Sequence, residues 1–427
     1  MGFTDVPKAE RELAALGITS EGHPLLASCA QAADPDLALA GLAQVAERDP
    51  GLIGALSADP ELGARLSAVL GVSKAMAEHL VRHPEDVAVL RGQEAGRRPD
   101  AKAVREEFLR AVAADPADAE PTAGPMQKNT VQKKTVQKNT AVKDPVERLA
   151  AAYHRRLLHL AARDLTGDAS VDEVAEELAD LADGVLEAAL AIARAELPPD
   201  SAPVRFAIVA MGKCGARELN YASDIDVIFV AEPYQHDARS GEPTDEATLK
   251  TAGKLAAGLI RACERTTPEG SLFPVDPNLR PEGRQGPLVR SLASHLAYYE
   301  RWAKTWEFQA LLKARPAAGD AALGRRYTDA VTPLVWQASR RENFVEDVQA
   351  MRRRVIDTLP KNMAGRELKL GPGGLRDIEF AVQLLQLVHG RDDDRVRVPA
   401  TLPALAALAE GGYVGRTDAE DLAQAYR

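Results

Sequence analysis

Asp224 and Asp226 stand one isoleucine apart at the head of the run DIDVIFVAE, residues 224 to 232. In an extended strand, residues i and i+2 share a face, so both carboxylates point the same way, roughly 6–7 Å apart at Cα. Ile225, Val227 and Phe229 then take the opposite face, a pattern suited to a sheet covered by helices. Neighbouring carboxylates disfavour each other's ionisation unless a cation lies between them. An oxygen-only set favours Mg²⁺, with Mn²⁺ as the alternative, and phosphate oxygens complete such a shell. A third carboxylate, Asp276, follows an apolar run in SLFPVDPNLRPEG, with Arg280 and Arg284 behind it. Arginines so placed can neutralise phosphates bidentately.

Upstream of the aspartates, VRFAIVAM (residues 204 to 211) reads as a strand, and Gly212 and Gly215 flank Lys213 and Cys214 in a tight turn after it. Glycine there lets backbone N–H groups approach a phosphate closely. With no base beside it except Lys213, Cys214 reads as a small packing residue. A second glycine loop lies in LKLGPGGLRDIEF (368 to 380), where Gly371, Gly373 and Gly374 separate Lys369 from Arg376 at a helix entry. A phosphate could rest on those N–H groups and the two basic side chains. In WEFQALLKARPAAGD, Glu307, Lys313 and Arg315 are expected on one helix, with Lys313 and Arg315 at its solvated end. Trp306, Phe308, Leu311 and Leu312 would pack that helix on the sheet.

The elements that hold these residues follow from composition and periodicity. A chain of 427 residues calls for two or three subdomains, and 45% hydrophobic but only 4% aromatic content, rich in Ala and Leu, points to helices. The expected organisation is a helical region over 1–125, a lysine-rich low-complexity insertion over 126–142, and a further helical region over 143–200. A catalytic core over 201–292 and a helical domain over 293–427 complete it. The insertion, with MQKNTVQKKTVQKNT, has too few apolar residues to order itself. A net charge of −10 argues against a general nucleic-acid coat. Cys29, Cys214 and Cys263 lie far apart and form no paired framework, and the eight histidines are scattered, which argues against a zinc site. No apolar stretch reaches spanning length and no leader is evident, so a cytoplasmic protein without membrane contact is expected.

A strand, a glycine turn and a second strand opening with two aspartates resembles the nucleotidyltransferase superfamily. There two carboxylates on one strand hold the metals and a third comes from a later strand. The resemblance implies an α+β fold, a mixed sheet with helices flanked by helical subdomains, with Asp224, Asp226 and Asp276 as catalytic and metal-binding residues. It narrows further. GKCGARELNYASDIDVIFV, VDPNLRPEGRQGPLV, WEFQALLKARPAAGD and LKLGPGGLRDIEF occur in the order found in the bifunctional glutamine synthetase adenylyltransferase/adenylyl-removing enzymes. SKAMAEHLVRHPE and RRLLHLAARDLTG resemble the amino-terminal region of that family.

That family carries two nucleotidyltransferase domains, and the sequence resembles the first, adenylyl-removing one: its motif starts about 210 residues from the initiator methionine and reads ELNYASDID. The implied reaction is phosphorolysis of adenylyl-tyrosine on adenylylated glutamine synthetase, giving ADP and tyrosine. Implied partners are ADP or ATP, orthophosphate, the PII signal protein, and the carboxy-terminal adenylyltransferase half of a longer chain. Gly212, Lys213, Gly215, Arg280, Arg284, Lys369, Gly373, Gly374 and Arg376 would bind the nucleotide and phosphate. Forward adenylyl transfer from ATP, and a catalytically silent nucleotide-sensing or PII-binding module, are the alternatives.

Overall fold

Asp-Pro signals start several of the helices. Asp34, Asp59 and Asp144 each precede a proline and each accept a hydrogen bond from a first-turn N–H, at 2.9, 3.1 and 2.8 Å. Proline loses nothing at that position, where its absent N–H would have no partner within the helix. In this computed structural model residues 2–18, 23–124, 144–234, 245–357, 359–360 and 366–427 are described. The lysine-rich repeat falls outside them.

The helices from Val6–Ala15 to Lys74–Arg82 build an amino-terminal core around Leu25, Leu42, Leu66 and Leu80. Helix α1 (Pro145–Leu165) gives Leu158 and Ala162 to that core and Leu149, Tyr153 and Leu160 to the next. Helix α2 (Val171–Ala195) opens with a Ser170–Glu173 capping box and buries Leu181, Val185 and Leu190. Beyond it come α3 (Asp245–Glu264), α4 (Leu292–Arg301), α5 (Thr305–Leu311), α6 (Ala321–Gln337) and α7 (Phe344–Asp357). The last are α8 (Leu375–His389), α9 (Thr401–Glu410) and α10 (Arg416–Tyr426).

Five strands make one small mixed sheet: β1 (Val204–Ala210), β2 (Ile225–Pro233), β3 (Val275–Asp276), β4 (Val289–Arg290) and β5 (Arg315–Gly319). The order is β3-β2-β1-β5, with β4 also on β2. β1 runs antiparallel to β2 and β5, while β3 and β4 lie parallel to β2. Side-chain alternation sends Phe206, Ile208, Ile225, Val227 and Phe229 into the core with α2 and α3, and Val209, Ile228 and Val230 into one with α4, α5 and α6. The molecule thus has the expected mixture of helix and sheet. One expectation fails: the WEFQALLKARP helix stops at Leu311, and Arg315 opens an edge strand instead. Pro316 is tolerated at such an edge, opposite a register shift between Ile208 and Val209. Gly319 closes the strand with φ +77°, where a Cβ would lie 2.3 Å from the Phe206 carbonyl oxygen.

Candidate active site

β2 and β3 set the carboxylates. Their parallel register places Asp226 beside Asp276, and the Ile225 N–H, bonded to the Pro274 carbonyl at 2.9 Å, secures that pairing. Asp224 lies one residue before β2 and is exposed. The Met211 N–H donates to the Asp226 carbonyl at 2.8 Å, folding the glycine turn over the aspartates. Gly212 has φ +54°, and a Cβ there would stand 2.1 Å from Asp226 Oδ2. Only glycine fits that approach. Asp276 Oδ1 accepts from the Asn278 N–H at 2.7 Å, which orients its carboxylate.

All three carboxylates line one cavity of about 400 Å³. Lys213, Lys313, Lys369 and Arg376 line the same cavity, so the lining carries both signs of charge. Burial, then the charges of Asp224 and Asp276, raises Asp226 to about 6 from an ordinary 3.8, with Arg376 and Lys369 working the other way. Burial lowers the Lys213 ammonium, with Glu379 opposing, while its Nζ donates to Asn220 Oδ1 at 3.0 Å. Glu379 resists its own burial because Lys313, Arg376 and Lys213 surround it, and its carboxyl lies below its usual range. Three acceptor-only carboxylates lining one cavity, with the Asp226 carboxyl raised by burial and by its neighbours, fit a hard divalent cation such as Mg²⁺ or Mn²⁺.

Not every residue singled out in the sequence reaches this cavity. Arg280 is buried, and its guanidinium donates to the carbonyls of Pro277 at 2.8 Å and of Gly286 and Pro287 at 3.2 Å, bracing the loop after β3. Arg284 sits exposed on a short turn, away from the lining. Gly215 serves close packing, since a Cβ there would be 2.0 Å from the Lys313 carbonyl oxygen. In the second glycine loop the N–H groups expected to meet phosphate already have partners. Gly373 donates to Asp377 Oδ2 at 2.6 Å and Gly374 to the Gly371 carbonyl at 3.0 Å. Arg352 pins the loop, donating to Asp377 at 2.6 Å and to the carbonyls of Leu370 and Gly371 at 3.1 and 3.0 Å. Lys369 and Arg376 do line the cavity.

Lys313 and Arg315 are not solvated ends. Lys313 is buried on Glu218 at 2.9 Å, and Arg315 grips both oxygens of Asp183 at 2.5 and 2.9 Å. Trp306, expected in sheet packing, lines the cavity, as do Gln309, Glu379 and Gln383, which sequence reasoning missed. Gln309 donates to Gln383 at 2.7 Å, and its own Oε1 is buried without a partner. The available signal was a set of polar residues, Glu379, Gln383 and Gln386, on the helix stripe that also carries Ile378, Val382 and Leu387. All three cysteines are buried and free, and burial pushes the Cys214 thiol up, as befits a packing residue. Among the described residues no helix is long and apolar enough to cross a membrane.

A family model described as glutamate-ammonia ligase adenylyltransferase matches residues 63–330, and one described as GlnD PII-uridylyltransferase matches residues 343–427. The bifunctional glutamine synthetase adenylyltransferase/adenylyl-removing enzyme of Streptomyces coelicolor is 52% identical over 435 residues, covering 100% of this chain and 40% of that protein. The protein of the same name from Mycobacterium tuberculosis H37Rv is 46% identical over 442 residues, covering 100% and 40%. That from Cutibacterium acnes is 46% identical over 398 residues, covering 92% and 38%. The chain therefore spans about 40% of the length of the curated relatives it matches.

Proposed function

The chain belongs to the glutamate-ammonia ligase adenylyltransferase family, and from that premise we propose that it is the amino-terminal, adenylyl-removing part of such an enzyme. It would act on adenylylated glutamine synthetase by phosphorolysis of the adenylyl-tyrosine. An oxygen of orthophosphate bonds to the α-phosphorus, the bond to the tyrosine oxygen breaks, and ADP leaves with tyrosine, whose phenolate takes a proton. The observation that carries this reading is the cavity whose lining joins Asp224, Asp226 and Asp276 with Lys213, Lys369 and Arg376.

Both reactants are anionic, so the work is electrostatic. Lys213, Lys369 and Arg376 would neutralise the entering phosphate and the nucleotide phosphates. Trp306 offers a face on which a base can stack, and Gln309 Oε1 an acceptor without a partner. Lys313, tied to Glu218, would position the lining without changing partners. Asp224, Asp226 and Asp276 would hold Mg²⁺ or Mn²⁺, which supplies charge neutralisation for the transferring phosphoryl group. Orthophosphate needs no strong base, which accords with a lining that, among the described residues, holds no histidine. The PII protein and a carboxy-terminal adenylyltransferase half are proposed partners, and the cytoplasm the proposed compartment.

The test is to incubate the chain with adenylylated glutamine synthetase, orthophosphate and Mg²⁺. ADP and unmodified glutamine synthetase should appear together. Incorporation of AMP from ATP without phosphate-dependent ADP release would replace this reading with forward transfer. Nucleotide binding without either reaction would favour a silent sensing module.

A further inference from the structure

Histidines scattered in the sequence are gathered by the fold. His79 lies on the helix Lys74–Arg82 and His83 caps its end, so the pair stands four residues apart on one side. His154 comes from α1, with its ring 5.8 Å from that of His79, which is itself 5.1 Å from that of His83. Glu269 enters from the Thr267–Gly270 turn, which follows α3 and precedes β3. We propose that His79, His83 and Glu269 form a Zn²⁺ site, separate from the carboxylate cavity, that fastens the amino-terminal helices to the segment leading into β3.

Three observations carry it. One ligand atom from each of the three residues lies within 4.8 Å of the others. Two histidines and a glutamate are a donor set that zinc takes in tetrahedral sites. His79 is 1% exposed, and its Nε2 meets Asp86 Oδ2 at 2.9 Å. That contact fixes the proton on Nε2 and leaves the lone pair on Nδ1, which is buried with no hydrogen-bond partner. A carboxylate that orients a histidine in this way is the usual outer support of a metal ligand. His154 Nδ1, on the ring beside His79, is likewise buried without a hydrogen-bond partner.

In the metal-free arrangement Glu269 accepts from His83 Nε2 and from Arg82 Nε, each at 3.1 Å. Binding would form bonds from His79 Nδ1, His83 Nε2 and a Glu269 oxygen to the ion. The His83 Nε2 proton goes to solvent, and Arg82, 35% exposed, turns outward. Because Asp276 lies a few residues beyond this turn, the site would anchor the amino-terminal layer beside the catalytic strand without entering the reaction.

The full chain is equilibrated with Zn²⁺ in excess Mg²⁺, passed over a sizing column, and its metal content measured. One Zn²⁺ per chain is expected, with a raised melting temperature. Asp224→Asn/Asp226→Asn should retain it, while His79→Ala and Glu269→Gln should weaken binding by about 10–100-fold or more. No retained zinc, retention unchanged in both variants, or loss in the aspartate double variant overturns the site. Should His79→Ala not fold, Co²⁺ replaces it as the probe of the native chain. Intense visible bands of a four-coordinate nitrogen–oxygen set support the site, and the weak spectrum of a six-coordinate oxygen set overturns it. None of these readouts depends on the proposed phosphorolysis.

Discussion

Helix α2 and strand β2 each present closely spaced acids, and the protein treats them in opposite ways. Asp180 on α2 meets Arg98 and Arg217, both at 2.6 Å, Asp183 meets Arg315 at 2.5 Å, and Glu187 meets Arg105 at 3.4 Å. Arginines from distant parts of the chain thus converge on one helix and tie the amino-terminal region, the glycine turn and β5 together. Asp224, Asp226 and Asp276 have no such partner, since among the described residues no ion pair reaches them. Their charge stays unmatched even though Lys369 and Arg376 line the same cavity. Folding alone would favour matching them as on α2. The first group ties the fold together, and the second is the set that we propose a positively charged ligand occupies.

That contrast can be broken from either side. Removing the arginine from a matched pair should cost the most stability. Arg315→Ala leaves Asp183, already raised to about 6 by burial, without its main partner, and should destabilise the chain by about 3–5 kcal/mol in urea unfolding. A loss below about 1 kcal/mol would place the pair among weak surface contacts. On the unmatched side, Gly212→Ala pushes a methyl into Asp226 Oδ2 at a backbone angle of +54°. Adenylyl removal should fall by about 100-fold, as expected for a group displaced by about 1 Å, while the melting transition stays cooperative.

The smallest effect has the opposite sign. The metal-free native state holds the Asp226 proton up to about 6, against 3.8 ordinarily, so its contribution to stability is full below pH 3.8 and lost as pH rises through about 6. Asp226→Asn removes that repulsion. Without metal it should exceed the native chain in stability at pH 7.5 by about 1–3 kcal/mol, with the gap closing towards pH 4. Added Mg²⁺ should then stabilise the native chain and leave the variant unmoved. A variant less stable than the native chain at pH 7.5 would show the acids to be ordinary structural residues.

How much of this was legible before the fold depended on the range of the interaction. Asp224 and Asp226 could be placed on one side of a strand because its period is fixed, and Gly212 could be read as a close approach because only glycine allows it. Asp276 needed an apolar run ahead of it, and its register beside Asp226 is a long-range fact. β5 was hidden because RPAAG shows neither alternation nor branched residues and is held by its antiparallel partner β1. The loop N–H groups of Gly373 and Gly374 looked available because nothing local shows that Asp377 and Gly371 accept from them. For the same reason Arg280 could be seen as a phosphate ligand, although its guanidinium folds back on its own loop. Lys313 and Arg315 read as solvated for want of Glu218 and Asp183, about 100 residues away or more.

The central claim is that the unmatched acids are the seat of the reaction. The measurement that meets it most directly is phosphate-dependent ADP release from adenylylated glutamine synthetase by the Asp224→Asn/Asp226→Asn variant, beside its unfolding curve. The account predicts a loss of about 10³-fold or more with stability equal to or above that of the native chain. Release within about tenfold of the native rate, from a fully folded variant, would contradict it.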